Sequence, residues 1–295
     1  MLFDRNFVLA TFESEKNIII NFRHNDNYGK KPLLLLHGYP QTHVMWHHIA
    51  NELNHNYHII CPDLRGYGDS SKPSQTDVNH VLYSKKNMSE DMISLMKHLG
   101  YDKFFAAGHD RGGRVLHRMT KDYPKMIEKA CIMDIAPTYH MFKNTDQNFA
   151  IGYYHWFFLI QPNNLPETMI GNNPKYYLME KLYRWSADNS VFEKEAVDEY
   201  IRCFSNYNDI HATCEDYRAA ATIDMEDDEK DKNNKVDTPL LILWGEKGFI
   251  NRTYDLLNVW RDYASNVQGK TLGCGHFLAE EAPSQVIEEF EKFFN

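Results

Sequence analysis

The chain reads Gly108-His109-Asp110-Arg111-Gly112 at its most diagnostic point. The two glycines have the spacing of the G-x-S-x-G motif, where a sharp turn from a strand into a helix leaves no room for side chains beside the apex residue. The flanking patterns predict that context, with a buried strand over 104–108 and a helix over 113–123. An aspartate at the apex suits displacement of a leaving group from an sp3 carbon, as in carbon–halogen or epoxide opening. Asp110 is therefore a candidate nucleophile, and the alternative is that it only caps the helix.

The distribution of apolar residues predicts an α/β protein with a mostly parallel sheet and helices on both faces. The predicted strands are 17–22, 32–37, 58–61, 104–108, 127–134, 239–244 and 268–272. The predicted helices that flank the sheet are 44–53, 88–99, 113–123 and 283–294.

The segment 139–224 interrupts this alternation, since it is rich in aromatic residues at helical spacing and has no strong β-branched run. It predicts a helical cap inserted into a core that comprises 1–138 and 225–295. The charged stretch 226–235 is interpreted as a solvated segment that returns the chain to the core.

Composition narrows the classes of function. The chain has 295 residues and a net charge of −9, which argues against nucleic acid or an anionic membrane as a partner because both require clustered Lys and Arg. Five cysteines without C-x-x-C spacing indicate free thiols in a reducing cytoplasm. The N-terminus lacks a continuous apolar segment, and no apolar run reaches ~18 residues. We therefore expect a cytoplasmic enzyme that acts on a small molecule and needs no cofactor.

Two histidines could bind a metal. His43 and His47 are spaced i, i+4, which places both side chains on one face of a helix, as in zinc sites. No acid motif accompanies them, so we interpret them as part of a polar helix face and predict no metal site.

The order of the candidate residues matches the α/β-hydrolase fold, in which nucleophile, acid and histidine follow one another at the carboxyl ends of strands. Asp110 and His276 take the first and last places, and His276 follows the last predicted strand in a glycine-rich loop. The acid is either Asp134 or Glu246. We favour Asp134, because Gly248 occupies the place where many proteins of this fold carry Asp after a Trp-Gly pair. Alternatively, Asp134 is only a helix N-cap where the chain enters the inserted helical cap.

The segment His37-Gly38-Tyr39-Pro40 follows the predicted strand 32–37. In this fold, a backbone amide at that place and the amide after the nucleophile form the oxyanion hole. We therefore expect the amides of Tyr39 and Arg111 to stabilise the tetrahedral intermediate of ester hydrolysis. The alternative is that the segment is only a tight turn, in which Gly and Pro are common.

Six segments carry a closer resemblance. They read HGYPQTHVMWHHIA, DLRGYGDSSKP, GHDRGGRV, YHWFFL, CEDYRAA and GCGHFLAEE, and they fall between Pro32 and Pro283. Together they resemble the fluoroacetate (haloacetate) dehalogenases, a branch of the α/β-hydrolase fold beside the haloalkane dehalogenases and epoxide hydrolases. The first two segments are shared with epoxide hydrolases, whereas GHDRGGRV combined with His155-Trp156 and Tyr217 is more specific. The resemblance implies hydrolytic removal of halide from a small 2-halocarboxylate, such as fluoroacetate or chloroacetate, by a homodimer.

The resemblance also implies roles that agree with the placement above: Asp110 is the nucleophile, His276 the general base and Asp134 its partner. Arg111 and Arg114 are implied to bind the substrate carboxylate. At the start of a helix they lie one turn apart, and each guanidinium presents a planar fork of donors, so both can reach one anion. The alternative is a pair of surface arginines.

His155, Trp156 and Tyr217 are implied by the resemblance to donate hydrogen bonds to the departing halide. Fluoride is a poor leaving group with a concentrated charge, so its displacement requires several preorganised donors in a dry pocket. Without the turn at Asp110, the same aromatic residues would be interpreted as a packed part of the cap.

Two other functions stay open. An epoxide hydrolase uses the same nucleophile with tyrosines of the cap, for which Tyr153, Tyr154 and Tyr217 are candidates, but a neutral epoxide gives no reason for Arg111 and Arg114. Haloalkane dehalogenases typically carry Trp where Arg111 stands. A catalytically silent protein that acts as a receptor or scaffold is disfavoured by the intact set of nucleophile, acid, histidine and oxyanion loop.

Overall fold

The computed structural model of the chain describes residues 2–74 and 78–295. Its strands are β1 (Phe7–Glu13), β2 (Ile19–Asn25), β3 (Lys31–Leu36), β4 (Tyr57–Pro62), β5 (Phe104–His109), β6 (Ile127–Met133), β7 (Leu240–Gly245) and β8 (Val267–Leu272). Its α-helices are α1 (His47–Leu53), α2 (Lys85–His98), α3 (Arg111–Asp122), α4 (Thr138–Lys143), α5 (Gln147–Gly152), α6 (Tyr154–Leu159), α7 (Leu165–Gly171), α8 (Pro174–Trp185), α9 (Lys194–Arg202), α10 (Tyr207–Ala221), α11 (Ile223–Asp231), α12 (Phe249–Thr253), α13 (Leu256–Tyr263), α14 (Leu278–Glu281) and α15 (Pro283–Phe294). Short 3-10 helices span His43–Trp46, Val81–Tyr83 and Asn189–Val191.

The strands form one sheet in the order β1-β2-β4-β3-β5-β6-β7-β8. The β1–β2 and β2–β4 pairs are antiparallel, and every pair from β4 to β8 is parallel. Strands β4, β5 and β7 are buried along their whole length, as expected of parallel strands that helices cover on both faces. The predicted mostly parallel sheet flanked by helices is confirmed.

Parallel pairing determines where the candidate residues meet. The carboxyl ends of parallel strands lie at the same edge of a sheet, where α/β proteins bind their ligands. At this edge β3 leads to Tyr39, β5 to Asp110, β6 to Asp134, and β8 to the loop that carries His276. Residues far apart in the sequence therefore come together by topology alone.

Strand β1 is not among the strands predicted from the sequence. It forms the outer edge of the sheet and pairs only with β2. Most of its residues are exposed or half-buried, with only Phe7 fully buried at its start. An exposed edge strand lacks the continuous apolar run that revealed the inner strands.

Between β6 and β7 the chain forms only helices, α4 to α11, which we call the helical insert (residues 138–231). Helix α10 is the most deeply buried of them and packs against α6 and α7. The insert contacts the edge of the sheet that carries the candidate site residues, because the Trp185 ring lies 5.5 Å from the His276 ring and the His155 ring lies 6.4 Å from the Tyr39 ring. The insert therefore packs against the edge at which Asp110 lies.

Most residues of the charged stretch 226–235 are exposed, in agreement with its interpretation as a solvated segment that returns the chain to the core. The chain there continues helix α11 to Asp231, and Asp231 accepts a hydrogen bond from Arg118 Nη1 at 2.8 Å and pairs with Lys121. Both partners lie on α3. Acidic and basic side chains three residues apart, such as Asp227 and Lys230, also support a helix.

The interpretation of His43 and His47 as a polar helix face is also wrong. Both side chains are buried. His43 Nδ1 lies 2.9 Å from Asp63 Oδ1, and His47 Nδ1 donates to the Val44 carbonyl oxygen at 2.8 Å. Each ring therefore packs in the core with at least one nitrogen in a hydrogen bond, as buried polar groups require.

No helix in the described part of the chain has the length and apolar character needed to cross a membrane. The five cysteines are free thiols, and all are buried. Burial raises the pKa of Cys131 and of Cys214 well above the ordinary range, which keeps these thiols unreactive.

Candidate active site

Asp110 stands at the turn between β5 and α3 with φ 46° and ψ −111°. Few residues other than glycine adopt such a conformation, and in proteins it is concentrated at functional sites. A Cβ atom at Gly108 would lie 2.5 Å from the Gly112 carbonyl oxygen, and one at Gly112 would lie 2.5 Å from the Leu36 carbonyl oxygen. The predicted requirement for both glycines is confirmed. The Asp110 side chain makes no capping hydrogen bond to α3, so the capping alternative is wrong.

The loop after β3 supplies a donor to Asp110. The Tyr39 amide donates a hydrogen bond to Asp110 Oδ1 at 3.0 Å. A Cβ atom at Gly38 would lie 2.7 Å from the Cβ of Asp110, so a larger residue would push the loop away. The Tyr39 amide thus contacts the candidate nucleophile, while the predicted oxyanion hole of the Tyr39 and Arg111 amides stays a prediction.

Asp134 and His276 form a hydrogen-bonded pair beside Asp110. His276 Nδ1 lies 2.6 Å from Asp134 Oδ2, and the Gly245 amide donates to Asp134 Oδ1 at 3.0 Å. Both carboxylate oxygens are thus engaged, and the side chain does not cap α4. Glu246, the other candidate acid, is exposed. His276 Nε2 is buried without a hydrogen-bond partner among the described residues, so it is free to accept a proton.

Nearby charges set the protonation states of Asp110 and His276. Burial raises the pKa of Asp110, but the nearby charges of His276 and Arg114 outweigh burial and leave that pKa below its ordinary value. Burial lowers the pKa of His276, but the Asp134 hydrogen bond and the charges of both carboxylates leave it above its ordinary value. His109 is different, because burial lowers its pKa to about 3. The neutral His109 ring donates through Nε2 to the His276 carbonyl oxygen at 2.7 Å and so holds the histidine loop in place.

Arg111 is bound by a residue that the sequence analysis missed. Its Nε and Nη2 atoms each donate to the Asp216 carboxylate at 2.7 Å, and both side chains are fully buried. Burial raises the pKa of Asp216, but the charges of Arg111 and Lys85 outweigh burial and hold it far below the ordinary range. The bidentate edge that we expected to bind the substrate is therefore occupied, and only Nη1 lacks a partner.

Arg114 is buried but forms no ion pair with any carboxylate in the described part of the chain. Its Nη1 donates to the Ala136 carbonyl oxygen at 3.1 Å and to Thr138 Oγ1 at 3.0 Å, and Nη2 contacts the Met141 sulfur at 3.4 Å. Its Nε atom has no partner. Because an unpaired buried charge is costly, Arg114 is a natural site for an added carboxylate. The alternative of two surface arginines is wrong.

His155, Trp156 and Tyr217 come together in the helical insert. The Tyr217 ring lies 5.7 Å from the His155 ring and 6.4 Å from the Trp156 ring. The Nδ1 of His155 and the Nε1 of Trp156 are buried without hydrogen-bond partners. A buried donor without an acceptor costs about 1–3 kcal/mol. The three rings do pack against one another, as the alternative interpretation expects. This packing still leaves His155 Nδ1 and Trp156 Nε1 without partners, and an anion would provide an acceptor for them.

A cavity of about 230 Å³ opens onto the candidate catalytic residues Asp110, Asp134 and His276. Its lining consists of Asp110, Asp134, Gly152, Tyr153, His155, Arg184, Trp185, Ser186, Lys247, Gly248, Phe249, Arg252 and His276. Arg111, Arg114, Trp156 and Tyr217 are not among these residues. The cavity therefore reaches Asp110, His276 and His155 directly, whereas the other predicted binding residues lie outside its wall.

Several lining residues had no signal in the sequence. Trp185 and Arg184 end helix α8, which carries no recognisable motif. Lys247 and Phe249 could have been suggested by their position just after β7, because the carboxyl ends of the parallel strands share one edge.

The chain matches known proteins over most of its length. The family model for the alpha/beta hydrolase fold matches residues 31–283. A fluoroacetate dehalogenase from Burkholderia sp. is 39% identical over 262 residues, which cover 88% of this chain and 86% of that protein. A soluble epoxide hydrolase from Corynebacterium sp. (strain C12) is 34% identical over 271 residues, which cover 89% of this chain and 90% of that protein. A solved structure from Nostoc sp. PCC 7120, described as an alpha/beta hydrolase, has a TM-score of 0.97 and 52% identity, and the match covers 100% of this chain and 99% of that one.

These matches agree with the sheet order and with the contacts of the site. The matches to the two enzymes cover most of their length, and the two differ in the reaction for which they are named. The chain belongs to the α/β-hydrolase fold family, as a hydrolase of the branch that includes fluoroacetate dehalogenases and soluble epoxide hydrolases.

Proposed function

We propose that this hydrolase removes halide from a small 2-halocarboxylate, such as fluoroacetate or chloroacetate. The observation that carries the proposal is Arg114, a buried guanidinium one helical turn after Asp110 with no carboxylate partner among the described residues. A substrate carboxylate would compensate this charge, whereas a neutral epoxide or haloalkane would not. The 39% identity to a fluoroacetate dehalogenase supports the same choice.

In the first step the Asp110 carboxylate attacks carbon 2 of the substrate. A C–O bond forms as the carbon–halogen bond breaks, the configuration inverts, and the halide leaves with the bonding electron pair. His155, Trp156 and Tyr217 would stabilise the halide with hydrogen bonds. Because Arg114 and Trp156 lie outside the cavity wall, this step requires the cavity to extend toward them when substrate binds.

In the second step His276 accepts a proton from water, and the resulting hydroxide attacks the carbonyl carbon of the Asp110 ester. The Tyr39 amide, which already contacts Asp110 Oδ1 at 3.0 Å, would stabilise the oxyanion. Collapse of the intermediate releases the 2-hydroxy acid and regenerates the carboxylate. The Asp110 charge is one of the causes that raise the pKa of His276, so ester formation lowers that pKa and prepares the base.

Epoxide hydrolysis is the second candidate, supported by the Corynebacterium relative and by Tyr153 in the cavity wall. A tyrosine would then protonate the opening epoxide oxygen. Burial raises the pKa of Tyr153 and that of Tyr217 well above the ordinary value. Tyr154, the third candidate, is 38% exposed and its hydroxyl accepts a hydrogen bond from Lys181 Nζ at 2.6 Å.

A substrate panel separates these functions. Purified protein is assayed for halide release from fluoroacetate, chloroacetate and a 1-chloroalkane, and for diol formation from styrene oxide. Turnover of the haloacetates alone supports the proposal. Efficient epoxide opening without haloacetate turnover would replace it with epoxide hydrolysis, and no turnover of any substrate would favour a binding protein.

A further inference from the structure

Three cations line the cavity that contains Asp110: Arg184, Lys247 and Arg252. They come from the end of α8, the loop after β7, and α12. All three side chains are exposed, and none forms an ion pair with a described residue. Arg202, by contrast, is an exposed cation that pairs with Glu199. The cluster is therefore a patch of uncompensated positive charge at the entrance to the site.

Its surroundings make the patch unusual. The chain has a net charge of −9, and the buried end of the cavity carries the carboxylates of Asp110 and Asp134. The negative net charge and these two carboxylates all repel an anion that approaches from solvent. Two acidic residues also lie near Lys247: Glu246 precedes it in the chain, and Asp188 interacts with it electrostatically. Their negative charges partly oppose the attraction of an anion to the entrance. An anionic substrate needs a local attraction that exceeds this field.

We infer that Arg184, Lys247 and Arg252 form a cationic mouth, which attracts anionic substrates into the cavity and selects them over neutral molecules before they reach Asp110. The inference rests on the proposed function, because a carboxylate substrate gives the mouth its use. A concave site lined with one sign of charge concentrates oppositely charged ligands and raises the association rate, by at least ~10-fold at low salt. No residue of the mouth has a hydrogen bond to Asp110 or His276 within the described residues, so its effect is on capture and not on chemistry.

The triple variant Arg184→Gln, Lys247→Gln, Arg252→Gln tests the mouth. At low ionic strength we expect kcat/KM for chloroacetate to fall about 10-fold, with little change in kcat. The wild-type kcat/KM should decrease as salt is raised, because salt screens exposed charges beyond ~8–10 Å. The variant should show a flat salt dependence. A neutral substrate, chloroacetamide or styrene oxide, should be affected in neither protein.

A matched control removes the same charge from the opposite edge of the sheet. Lys97, Lys103 and Lys125 are exposed and lie near the amino ends of β5 and β6. Their triple Gln variant has the same net charge as the mouth variant and should keep the wild-type kcat/KM and salt dependence. Equal behaviour of the two triple variants would overturn the inference, because the effect would then come from net charge alone or be absent.

A binding measurement keeps this test separate from the proposed function. Trp185 lines the cavity, so its fluorescence can report acetate binding in a protein that turns over no haloacetate. We expect the mouth variant to bind acetate about 10-fold more weakly than the control variant at low salt, and equally at high salt. Failure of the substrate panel with this binding difference intact would refute dehalogenation but retain the mouth. Equal acetate binding at low salt would refute the mouth whatever the panel shows.

Discussion

The guanidinium carbon of Arg114 lies 4.6 Å from the centre of the Trp156 ring. In the same way, the guanidinium carbon of Arg111 lies 4.2 Å from the centre of the Tyr217 ring. All four side chains are buried, and a cation over an aromatic face is most stabilised where water is excluded. The group proposed to bind the carboxylate and the groups proposed to bind the halide are thus packed as one unit.

Replacing Arg114 by Lys should raise KM and lower kcat/KM for chloroacetate by about 100-fold, equivalent to ~2–3 kcal/mol. An ammonium cannot form the bidentate pair with a carboxylate, and it loses the planar stacking on Trp156. Steady-state chloride release measures both constants. Arg118→Lys, four residues along the same helix and paired with Asp122, is the control and should keep the wild-type KM. An unchanged KM in Arg114→Lys would remove Arg114 from substrate binding.

Trp156→Phe should slow fluoride release by about 100-fold or more and chloride release by less. The substitution keeps an aromatic ring over Arg114 but removes the indole N–H, and fluoride depends more on donated hydrogen bonds than chloride does. The measurement is the ratio of kcat for fluoroacetate to kcat for chloroacetate.

Trp46→Phe is the matched control for this ratio. Trp46 is fully buried and its Nε1 also lacks a hydrogen-bond partner, but it ends the 3-10 helix before α1 and does not belong to the cluster of His155, Trp156 and Tyr217. It should lower stability and leave the ratio unchanged. A ratio that shifts equally in both variants would show that general loosening, and not halide binding, causes the effect.

The two steps should separate as the pH falls. The pKa of His276 lies above its ordinary value and that of Asp110 below. Between these two values Asp110 is still ionised and can attack, but His276 is protonated and cannot accept a proton from water. Turnover should therefore fall with decreasing pH while the first equivalent of halide is still released, which rapid-quench measurements detect. If the burst and the turnover fall together, the division between nucleophile and base is incorrect.

Glu280 on α14 links the loop after β3 to helix α9, and it is buried without an ion pair among the described residues. Its carboxyl group accepts hydrogen bonds from the Tyr200 hydroxyl at 2.9 Å and from Gln41 Nε2. Burial raises its pKa from 4.5 to about 8, although both hydrogen bonds act in the opposite direction. The folded protein therefore holds a proton on Glu280 that the unfolded chain releases above pH 4.5.

The sign of the effect on stability follows from this proton. Because the pKa of Glu280 is raised in the folded state, its contribution to the free energy of unfolding is complete below pH 4.5 and is lost as the pH rises toward about 8. The Gln side chain of Glu280→Gln stays neutral at every pH. The free energy of unfolding of the variant, relative to that of the wild type, should therefore increase by roughly 3 kcal/mol between pH 4.5 and 7. Urea unfolding across this range measures the difference, with the exposed Glu291→Gln as control. A constant difference between variant and wild type would show that Glu280 is ionised in the folded protein.

The parts of the site that could be predicted are those encoded locally or by topology. The turn at Asp110 is visible in the sequence because two glycines must stand at fixed positions around it. The pairing of Asp134 with His276, 142 residues apart, follows because both succeed strands of one parallel sheet.

The parts that could not be predicted depend on packing between distant segments. Asp216 meets Arg111 across 105 residues, and the segment CEDYRAA that contains it indicates a role for Tyr217 but not a buried ion pair of Asp216. The position of Arg184 in the cavity wall likewise depends on how α8 packs against the rest of the chain. The burial of His43 shows the same limit, since its periodic spacing suited an exposed face while tertiary packing placed it beside Asp63.

A single turnover in water enriched in ¹⁸O tests the central claim, that Asp110 forms an ester with the substrate. Enzyme in excess over chloroacetate is allowed one turnover, and the peptide that contains Asp110 is analysed by mass spectrometry. Because water attacks the carbonyl carbon of the ester, the label should enter the Asp110 carboxylate and the first glycolate should be unlabelled. Label in the first glycolate with none in Asp110 would contradict the account, since water would then have displaced the halide directly.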